Sequence, residues 1–528
     1  VGRKATWLLG GRSSEVPRFG IIDLLGGRLT EEKGGDKRRN EHRNKGHLLV
    51  FIVFLFKKGG KVMKKPIGIM LTISLVFLGS VTLASAASPF LEVAKETGIE
   101  IVEEDGVTIW MGPHGGKMKP KGPLAGKTIG LIVGSEFSDW QAYYLAEYVS
   151  EFGGRPQFVM DNNHLWKEVR PMRGHAYEPH GMWGLNLTVG MDGLGINGVR
   201  TEFPVLVQKG KGYAAEWKVA DPSAYDAFII LGGHSGDIMV ADDVAMKFIK
   251  AAADRGVPMA AIGGGILPLI KLGMLDGKKC TGNAVVDYML REIADYRNEP
   301  VVTDGNIITG RDTIDTPAVL RALCKVMEPG FKDKHKDILK GKKVMCMVTE
   351  DWEDVELCAP TLELMYRGVE YVVGLFDPQM RSRPALLGLD VRQGSYGTTV
   401  PFQEIPLSYY KIIKEEDLKM DDFDLMFMPG AFNPWRITVL HRDFLRDAYA
   451  AGKIIGAICH APIPVAAADL VRGKKCAGWL ACEPSIKIMG GEYSWDWSAV
   501  IDGRLVSGRV PMDVPEFVDA MTEALLRQ

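Results

Sequence analysis

The sequence predicts an α/β protein of two tandem domains, each a mostly parallel sheet with helices on both faces. A chain of 528 residues is too long for one ordinary hydrophobic core. Matching motifs also recur in the same order about 200 residues apart, starting with "GKTIGLIVGSEFSDWQ" at Gly126 and "GKKVMCMVTEDWEDVE" at Gly341. Solenoid repeats run only ~20–50 residues. The long period therefore indicates a duplicated domain.

Within each copy, short apolar runs alternate with longer amphipathic stretches such as "ADDVAMKFIKAAADRGV" and "DVELCAPTLELMYRGVE". This alternation is typical of a parallel sheet covered by helices, in which ligands bind at the carboxyl ends of the strands. The run "IIGAICHAP" places Cys459 at such an end, on a turn between a strand and a helix. Cys459 is therefore a candidate functional residue.

The region from Met63 predicts an export signal. Two lysines, an apolar run over residues 67–83 and a small-residue site ending at Ala86 form the layout of a secretory signal peptide, cleaved near Ala86. The alternative is an uncleaved membrane anchor formed by residues 67–83. Residues 1–62 hold 14 Lys/Arg against 6 Asp/Glu ahead of this signal. We expect them to be an upstream extension translated in error, with Met63 as the true start.

The domain boundaries follow from these patterns. Two segments, 161–219 and 377–419, interrupt the alternation with Gly, Pro, Tyr and polar residues, and predict long loops that could cover a site. The predicted organisation is an extension over 1–62, a signal peptide over 63–86, an N-terminal arm over 87–123, a first domain over 124–331, a charged linker over 332–343 and a second domain over 344–528.

Charge and cysteine content narrow the function classes. The formal net charge is −2, but the basic residues are concentrated before the signal, so an acidic excess remains from Ala87 onward. Nucleic acid is therefore not an expected partner, and we expect contact with a membrane only through the signal segment. Seven cysteines are too few to suggest a disulfide scaffold. Their number is odd, so at least one thiol stays unpaired in an oxidising space, and Cys459 is the candidate.

Cys459 and His460 together favour a nucleophile. A thiolate at the start of a helix is stabilised by backbone N–H groups and the helix dipole, which lowers its pKa. A cysteine considered alone is more often a small buried hydrophobe. The context of a strand, a cysteine, a histidine and a helix reverses that balance.

Two motifs carry a resemblance to a known family. The string "AICHAP" at residues 457–462 and the string "DWEDVE" at residues 351–356 are similar to motifs of the ThiJ/PfpI family, part of the class I glutamine amidotransferase-like superfamily. The resemblance covers nearly all of residues 124–528 as two tandem copies. It implies two flavodoxin-like three-layer domains.

The resemblance also implies the roles of individual residues. It makes Cys459 the nucleophile, Glu353 the carboxyl group touching its sulfur and His460 the acid or base. A protonated Glu353 would donate a hydrogen bond to the thiolate. Without the resemblance, the position of Glu353 indicates only an acidic residue at a helix N-terminus, which favours the helix dipole. Backbone N–H groups of Gly430, Ala431 and His460 are expected to hold an oxyanion. The family has a second glycine where Ala431 stands, so a positive φ would strain this alanine.

The first domain lacks the thiol chemistry, because Ser138, Gly263 and Gly264 stand where Glu353, Cys459 and His460 would be. In the family an acid that orients the histidine commonly comes from a neighbouring subunit. Trp435 occupies that position in the second domain, and Asp237 occupies it in the first. Our hypothesis is that Asp237 reaches across to His460. The alternative is that Asp237 caps the helix that follows it.

The resemblance implies an exported cysteine-dependent enzyme. Its substrate would be a small reactive carbonyl or a carbonyl adduct, as for a glyoxalase or deglycase, or an amide bond, as for a peptidase. The alternative is a redox-sensing or chaperone-like stress protein with an oxidisable cysteine. A homo-oligomer is possible, and no cofactor or metal is expected. The irregularly spaced loop histidines give only a weak metal pattern: His164, His175 and His180.

Overall fold

The computed structural model describes both predicted domains and part of the N-terminal arm. The described residues are 89–112, 119–134, 136–160, 215–216, 220–376, 391–395 and 397–528. The predicted extension, signal peptide and alternative membrane anchor lie outside these ranges. So do nearly all of the first long loop, residues 377–390 and 396 of the second, and the three loop histidines, His164, His175 and His180. Within the described ranges, no helix combines the length and apolar character that a membrane crossing requires.

The N-terminal arm forms a helix followed by a β-hairpin. Glycine at position 106 takes φ 82° in the turn between the two strands, a conformation that glycine adopts without strain. The elements are α1 (Pro89–Lys95), β1 (Glu100–Glu104) and β2 (Val107–Met111).

The first lobe, residues 124–331, contains a sheet that has seven strands within the described residues. Its order is β10-β11-β7-β6-β3-β4-β5, and every neighbouring pair is parallel except β10 and β11. The elements are β3 (Thr128–Val133), α2 (Asp139–Glu151), β4 (Arg155–Met160), β5 (Ala215–Glu216), β6 (Ala227–Ile230), α3 (Ser235–Ala241), α4 (Asp243–Asp254), β7 (Met259–Ile262), α5 (Leu267–Lys271), β8 (Lys279–Cys280), α6 (Asp287–Ile293), β9 (Asp295–Tyr296), β10 (Val301–Asp304), β11 (Ile307–Gly310) and α7 (Thr316–Met327).

The second lobe, residues 344–528 with Lys343 at its first strand, repeats this plan. Its elements are β12 (Lys343–Val348), α8 (Asp354–Tyr366), β13 (Glu370–Leu375), β14 (Arg392–Gln393), β15 (Thr399–Val400), β16 (Tyr410–Lys414), β17 (Leu425–Met428), α9 (Asn433–Leu440), α10 (Arg442–Ala450), β18 (Ile454–Ile458), α11 (Pro462–Ala467), β19 (Lys475–Cys476), α12 (Glu483–Ile488), β20 (Glu492–Tyr493), β21 (Ala499–Asp502), β22 (Leu505–Gly508) and α13 (Val514–Leu526).

The sheet of the second lobe also includes the N-terminal hairpin. Within the described residues it has nine strands in the order β1-β2-β21-β22-β18-β17-β12-β13-β16. The six strands from β22 to β16 are parallel, and β2 pairs antiparallel with β21. Central strands such as β12 and β18 are almost entirely buried, as expected for a parallel sheet with both faces covered. The predicted fold class is confirmed, and the arm completes the second sheet.

The two lobes pack through equivalent helices. The helix after the first strand of each lobe, α2 or α8, contacts its counterpart, and the last helix of each lobe, α7 or α13, packs against the helix of the other lobe. Every residue of α2 is buried, which is the pattern of a helix enclosed on all sides rather than of a surface helix. The lobes therefore form one compact unit with an approximately two-fold arrangement.

A buried ion cluster lies at this interface. Arg321 of α7 reaches across to Glu363 of α8 at 2.6 Å, and Arg367 contacts the same carboxyl at 2.9 Å. Tyr144 of α2 donates a 2.6 Å hydrogen bond to Glu363. Burial opposes ionisation of Glu363, but the two arginines lower its pKa to about 2. The charges are thus compensated where the lobes meet.

Candidate active site

Cys459 lies on a sharp turn at the carboxyl end of β18. Its φ is 59°, in the left-handed region that costs a non-glycine residue about 1–2 kcal/mol. The backbone N–H of Cys459 donates to the carbonyl of Gly508 on the neighbouring strand at 3.1 Å, which ties the turn to the sheet. The short helix α11 begins three residues later with Pro462, a favoured first residue of a helix. The turn holds the thiol at the sheet edge where parallel sheets bind ligands.

Glu356 is the carboxyl group that contacts the thiol. It lies in the first turn of α8, and its Oε2 and Sγ of Cys459 both lie against Gly430, where an added Cβ would be 2.7 Å from the oxygen and 3.2 Å from the sulfur. The backbone N–H of Gly430 donates a 2.6 Å hydrogen bond to Oε2 of the same carboxyl group. This contact fixes Glu356 between the ends of β17 and β18.

The expectation that Glu353 touches the sulfur is therefore wrong. The carboxyl group beside the sulfur is that of Glu356, three residues later in the chain. Glu353 is the N-cap residue of α8, with extended backbone angles, whereas Glu356 lies inside the first helical turn. Glu353 is buried, and its Oε1 has no hydrogen-bond partner within the described residues. Burial, and then the neighbouring carboxyl groups of Glu356 and Asp354, raise the pKa of Glu353 well above its ordinary value.

Burial and these carboxyl groups raise the pKa of the Cys459 thiol well above its ordinary value. Burial also raises the pKa of Glu356 to about 8, despite the hydrogen bonds from Gly430 and Cys459. The expectation of a thiol pKa lowered by the helix is thus wrong, because burial, and to a smaller extent the carboxyl groups of Glu356 and Glu353, raises the pKa of the thiol. Both the thiol and Glu356 carry their protons at neutral pH. The thiol therefore needs a base when it attacks.

His460 is placed to be that base. Its Nδ1 lies 3.3 Å from Sγ of Cys459, within the range of a hydrogen bond to sulfur. Burial lowers its pKa below 6.5, so the imidazole is neutral at physiological pH and able to accept a proton. The ring lies 6.2 Å from the ring of Trp479, measured between centroids, and Trp479 donates its backbone N–H to the Cys459 carbonyl.

The expected oxyanion donors are only partly available. Ala431 has φ 58°, as the substitution of a glycine at this position suggested. The N–H of Gly430 is engaged by Glu356 and does not point to a free acceptor site, so the assignment of Gly430 as an oxyanion donor is wrong. The N–H groups of Ala431 and His460 have no acceptor within the described part of the chain. These two groups remain as candidate donors.

Asp237 does not orient His460 in this chain. It lies in the first turn of α3, its side chain is 61% exposed, and its Oδ2 lies 3.9 Å from Nδ1 of His234. No ion pair within 4.0 Å joins Asp237 to His460, both of which the structure describes. The lobes do pack with equivalent helices in contact, but α3 lies outside that interface. The alternative that Asp237 caps α3 is also not found, because the N-cap residue is His234.

The first lobe keeps the framework of the site without its reactive groups. Gly263 takes φ 52° at the turn equivalent to that of Cys459. Gln141 stands in the place of Glu356, and its Oε1 accepts a 2.8 Å hydrogen bond from the N–H of Gly232. Ser138 is the N-cap of α2, as Glu353 is of α8. Gln141 was not singled out from the sequence, although aligning "SDWQ" with "EDVE" identifies it.

Comparison with known proteins agrees with the duplication. The model of the DJ-1/PfpI family matches residues 127–326 and again residues 342–524. A protein named DJ-1 homolog D from Arabidopsis thaliana is 23% identical over 323 residues, which cover 59% of this chain and 80% of the relative.

Two shorter relatives each match a stretch of this chain about as long as one lobe. A deglycase of Pyrococcus horikoshii is 28% identical over 174 residues, covering 33% of this chain and 92% of that protein. A protein named protein/nucleic acid deglycase 2 from Escherichia coli is 28% identical over 180 residues, covering 34% of this chain and 94% of its own length.

Proposed function

Since the chain belongs to the DJ-1/PfpI family through both of its lobes, we propose that its second lobe is a cysteine-dependent enzyme of the deglycase type. Its substrates would be reactive carbonyl compounds or their adducts with amines. One observation carries the proposal: Sγ of Cys459 lies 3.3 Å from Nδ1 of His460, and the buried carboxyl group of Glu356 lies beside the same sulfur. The deglycase names of two relatives support the substrate class.

The arrangement supports a balanced first step. Sγ of Cys459 forms a bond to the carbonyl carbon of the substrate while its proton passes to Nδ1 of His460. The electron pair of the carbonyl moves to oxygen, where the N–H groups of Ala431 and His460 would hold the negative charge. Glu356 then gives its proton to that oxygen. The product of the step is a hemithioacetal, and the imidazolium keeps the proton that the thiol lost.

An amide substrate would begin in the same way. Attack on the amide carbon gives a tetrahedral intermediate, and the imidazolium of His460 would return the proton to the departing nitrogen as the C–N bond breaks. The site contacts described above serve both reactions. The signal-peptide pattern at residues 63–86 supports the further proposal that the enzyme acts after export.

The test compares wild type with Cys459→Ser in a preparation of residues 87–528. Methylglyoxal, a methylglyoxal-treated amine and an unmodified peptide are the three substrates, and product formation is followed for each. The matched control is Cys482→Ser, because Cys482 is buried beside the turn and donates to the Cys459 carbonyl at 3.1 Å. We expect turnover of a carbonyl substrate that Cys459→Ser abolishes and Cys482→Ser retains.

Loss of peptide cleavage alone in Cys459→Ser would make the protein an amidase instead. Equal turnover in wild type and Cys459→Ser would exclude the thiol from the reaction. Absence of turnover on all three substrates, with oxidation of Cys459 by peroxide, would favour the redox-sensing role.

A further inference from the structure

A glutamate of the second lobe is hydrogen-bonded inside the unreactive site of the first lobe. Thr313 donates a 2.9 Å hydrogen bond to Oε2 of Glu404, and Ser138 donates to the same oxygen. Gln141 supports this arrangement, since its amide nitrogen donates to the Thr313 hydroxyl at 3.0 Å. Ser138 and Gln141 are the residues that replace Glu353 and Glu356 in the first lobe. The site of the first lobe thus holds the carboxyl group of Glu404, whereas the equivalent site of the second lobe contains the carboxyl groups of Glu353 and Glu356.

The loop that carries Glu404 also holds the start of α8. Six residues before Glu404, the backbone N–H of Thr398 donates to Asp354 at 2.8 Å, and its hydroxyl donates to the same carboxylate oxygen. Trp352 donates its indole N–H to the Thr398 hydroxyl at 3.1 Å. Asp354 and Trp352 flank Glu353, and Glu356 follows in the first turn of the helix. The loop therefore touches the segment that positions both carboxyl groups beside Cys459.

Aromatic packing connects the two ends of this loop. Phe402 lies between Thr398 and Glu404 and is 5% exposed. Its ring packs edge-on against Trp140 of α2 in the first lobe, with 4.8 Å between centroids, and lies tilted by 32° against Tyr410 at 4.4 Å. Such packing makes the loop a stiff connection, because a displaced Phe402 would leave a cavity between the lobes.

We propose that Glu404 is a positioning residue for the thiol site, and that the crevice of the first lobe serves as its carboxylate-binding pocket. The hydroxyls of Ser138 and Thr313 hold Glu404, the loop holds Asp354 and Trp352, and α8 presents Glu356 to Cys459. The role of the loop in catalysis rests on the proposed function of the second lobe. The coupling between Glu404 and the thiol does not rest on the proposed function, because the reactivity of Cys459 can be measured without any substrate.

A purely structural role for Glu404 would be to fasten the lobes together. Its loss would then lower stability and leave the thiol environment unchanged. The positioning role makes a different prediction. Release of the loop lets water reach the first turn of α8, and reduced burial lowers the raised pKa values of Glu356 and Cys459.

The experiment measures the rate at which iodoacetamide alkylates Cys459 as a function of pH, with the modified peptide identified by mass spectrometry. In Glu404→Ala we expect the midpoint of the profile to move to lower pH by about one unit. Thr313→Val, which keeps the side-chain shape and removes one donor, should move it in the same direction by less. Glu404→Gln should restore the wild-type midpoint, since its amide oxygen accepts the same hydrogen bonds.

Glu416→Ala is the matched control, because Glu416 is an exposed glutamate shortly after the same loop, and it should leave the profile unchanged. In the double variant Glu404→Ala with Thr313→Val, the two shifts should not add, since both changes break one interaction. If Glu404→Ala does not fold, Thr313→Val carries the test.

A midpoint unchanged in folded Glu404→Ala, or unchanged in Thr313→Val, overturns the proposal. So do shifts that add fully in the double variant. A wild-type protein that turns over no substrate and still shows these shifts would refute the proposed function alone, and the positioning role would stand.

Discussion

Cys459 and Gly263 take the same left-handed backbone conformation, with φ 59° and 52°, at equivalent turns of the two lobes. Glycine adopts this conformation without strain, whereas a side chain costs about 1–2 kcal/mol. The first lobe thus has glycine at this turn, where no nucleophile is needed. The second lobe keeps a strained residue where chemistry needs a thiol, which is a pattern expected at functional sites.

The strain at this turn can be measured by comparing two variants that both lack sulfur. We expect Cys459→Gly to be more stable than Cys459→Ala by about 1 kcal/mol, because alanine keeps the strained backbone and glycine relieves it. Urea denaturation of both variants gives the difference in the free energy of unfolding. An alanine variant as stable as the glycine variant would show that the turn is not strained.

Cys459 should be the first of the seven thiols to be alkylated in the folded protein. Cys459 is 7% exposed, and the other six cysteines are 0% exposed. Its rate should rise with pH above neutrality, since burial and the neighbouring carboxyl groups raise the pKa of the thiol. Peptide mapping after brief exposure to iodoacetamide checks the order. Equal labelling of Cys459 and Cys482 would contradict it.

Turnover should depend on pH in both directions. The lowered pKa of His460 lies below 6.5, so activity should be lost as the pH falls and the imidazole takes up a proton. Glu356 has a raised pKa of about 8, so activity should also fall as the pH rises past that value and the proton donor ionises.

Glu356→Gln tests the alkaline limb of this profile. The variant should lose the limb and about 10²–10⁴ of the rate, because glutamine has no titrating proton. Glu353→Gln is the control from the same motif. It should keep the alkaline limb, since Glu356 makes the contact with the thiol. A limb that disappears in Glu353→Gln instead would assign the donor to Glu353.

Ala431 offers a stabilising substitution. Its φ of 58° is unfavourable for alanine, so Ala431→Gly should raise the free energy of unfolding by about 1 kcal/mol. The converse change in the first lobe is Gly233→Ala, at φ 76°, where a Cβ would lie 2.5 Å from the Glu136 carbonyl oxygen and 2.7 Å from the Ser138 nitrogen. This change should destabilise the protein. Thermal unfolding of both variants gives the signs, and equal midpoints would refute the argument.

The ion cluster between the lobes should make stability depend on pH at acid values. The folded-state pKa of Glu363 is lowered to about 2, so its contribution is full above the ordinary carboxyl pKa and is lost as the pH falls toward 2. Glu363→Gln should cost about 3–5 kcal/mol at neutral pH, because Arg321 and Arg367 lose a buried partner. Chemical denaturation at several pH values measures both effects.

Glu92→Gln is the control, because Glu92 forms an exposed pair with Lys95. Such a pair should contribute less than about 1 kcal/mol. A similar loss of stability in both variants would contradict the role assigned to the buried cluster.

The sequence was sufficient to predict the duplicated α/β fold and the turn that carries Cys459 and His460, because strand and helix patterns recur in both halves. It did not distinguish Glu353 from Glu356. The two glutamates are three residues apart, about one helical turn, and the choice depends on where α8 begins. The raised pKa of the thiol was also missed, because it comes from burial and from carboxyl groups brought together only by the folded chain.

The expectation for Asp237 failed for a related reason. A motif match alone does not show which side chains meet across the interface, because the packing of the lobes decides it. That packing uses α2, α7, α8 and α13, and it leaves Asp237 on the surface. The partnership of Glu404 with Ser138 and Thr313 likewise joins residues that are far apart in sequence and has no local signal.

The pairing of β2 with β21 has a consequence for biogenesis. Ser498 donates to the Trp110 carbonyl across 388 residues of sequence, so the second sheet cannot be completed until the first lobe has been translated between its parts. The hairpin of β1 and β2 is therefore made before the strand that it pairs with. A fragment limited to residues 342–528 would leave β21 as an unpaired apolar edge that could associate with other strands. The N-terminal hairpin and the second lobe therefore enclose the first lobe in sequence, and the second sheet is complete only in the whole chain.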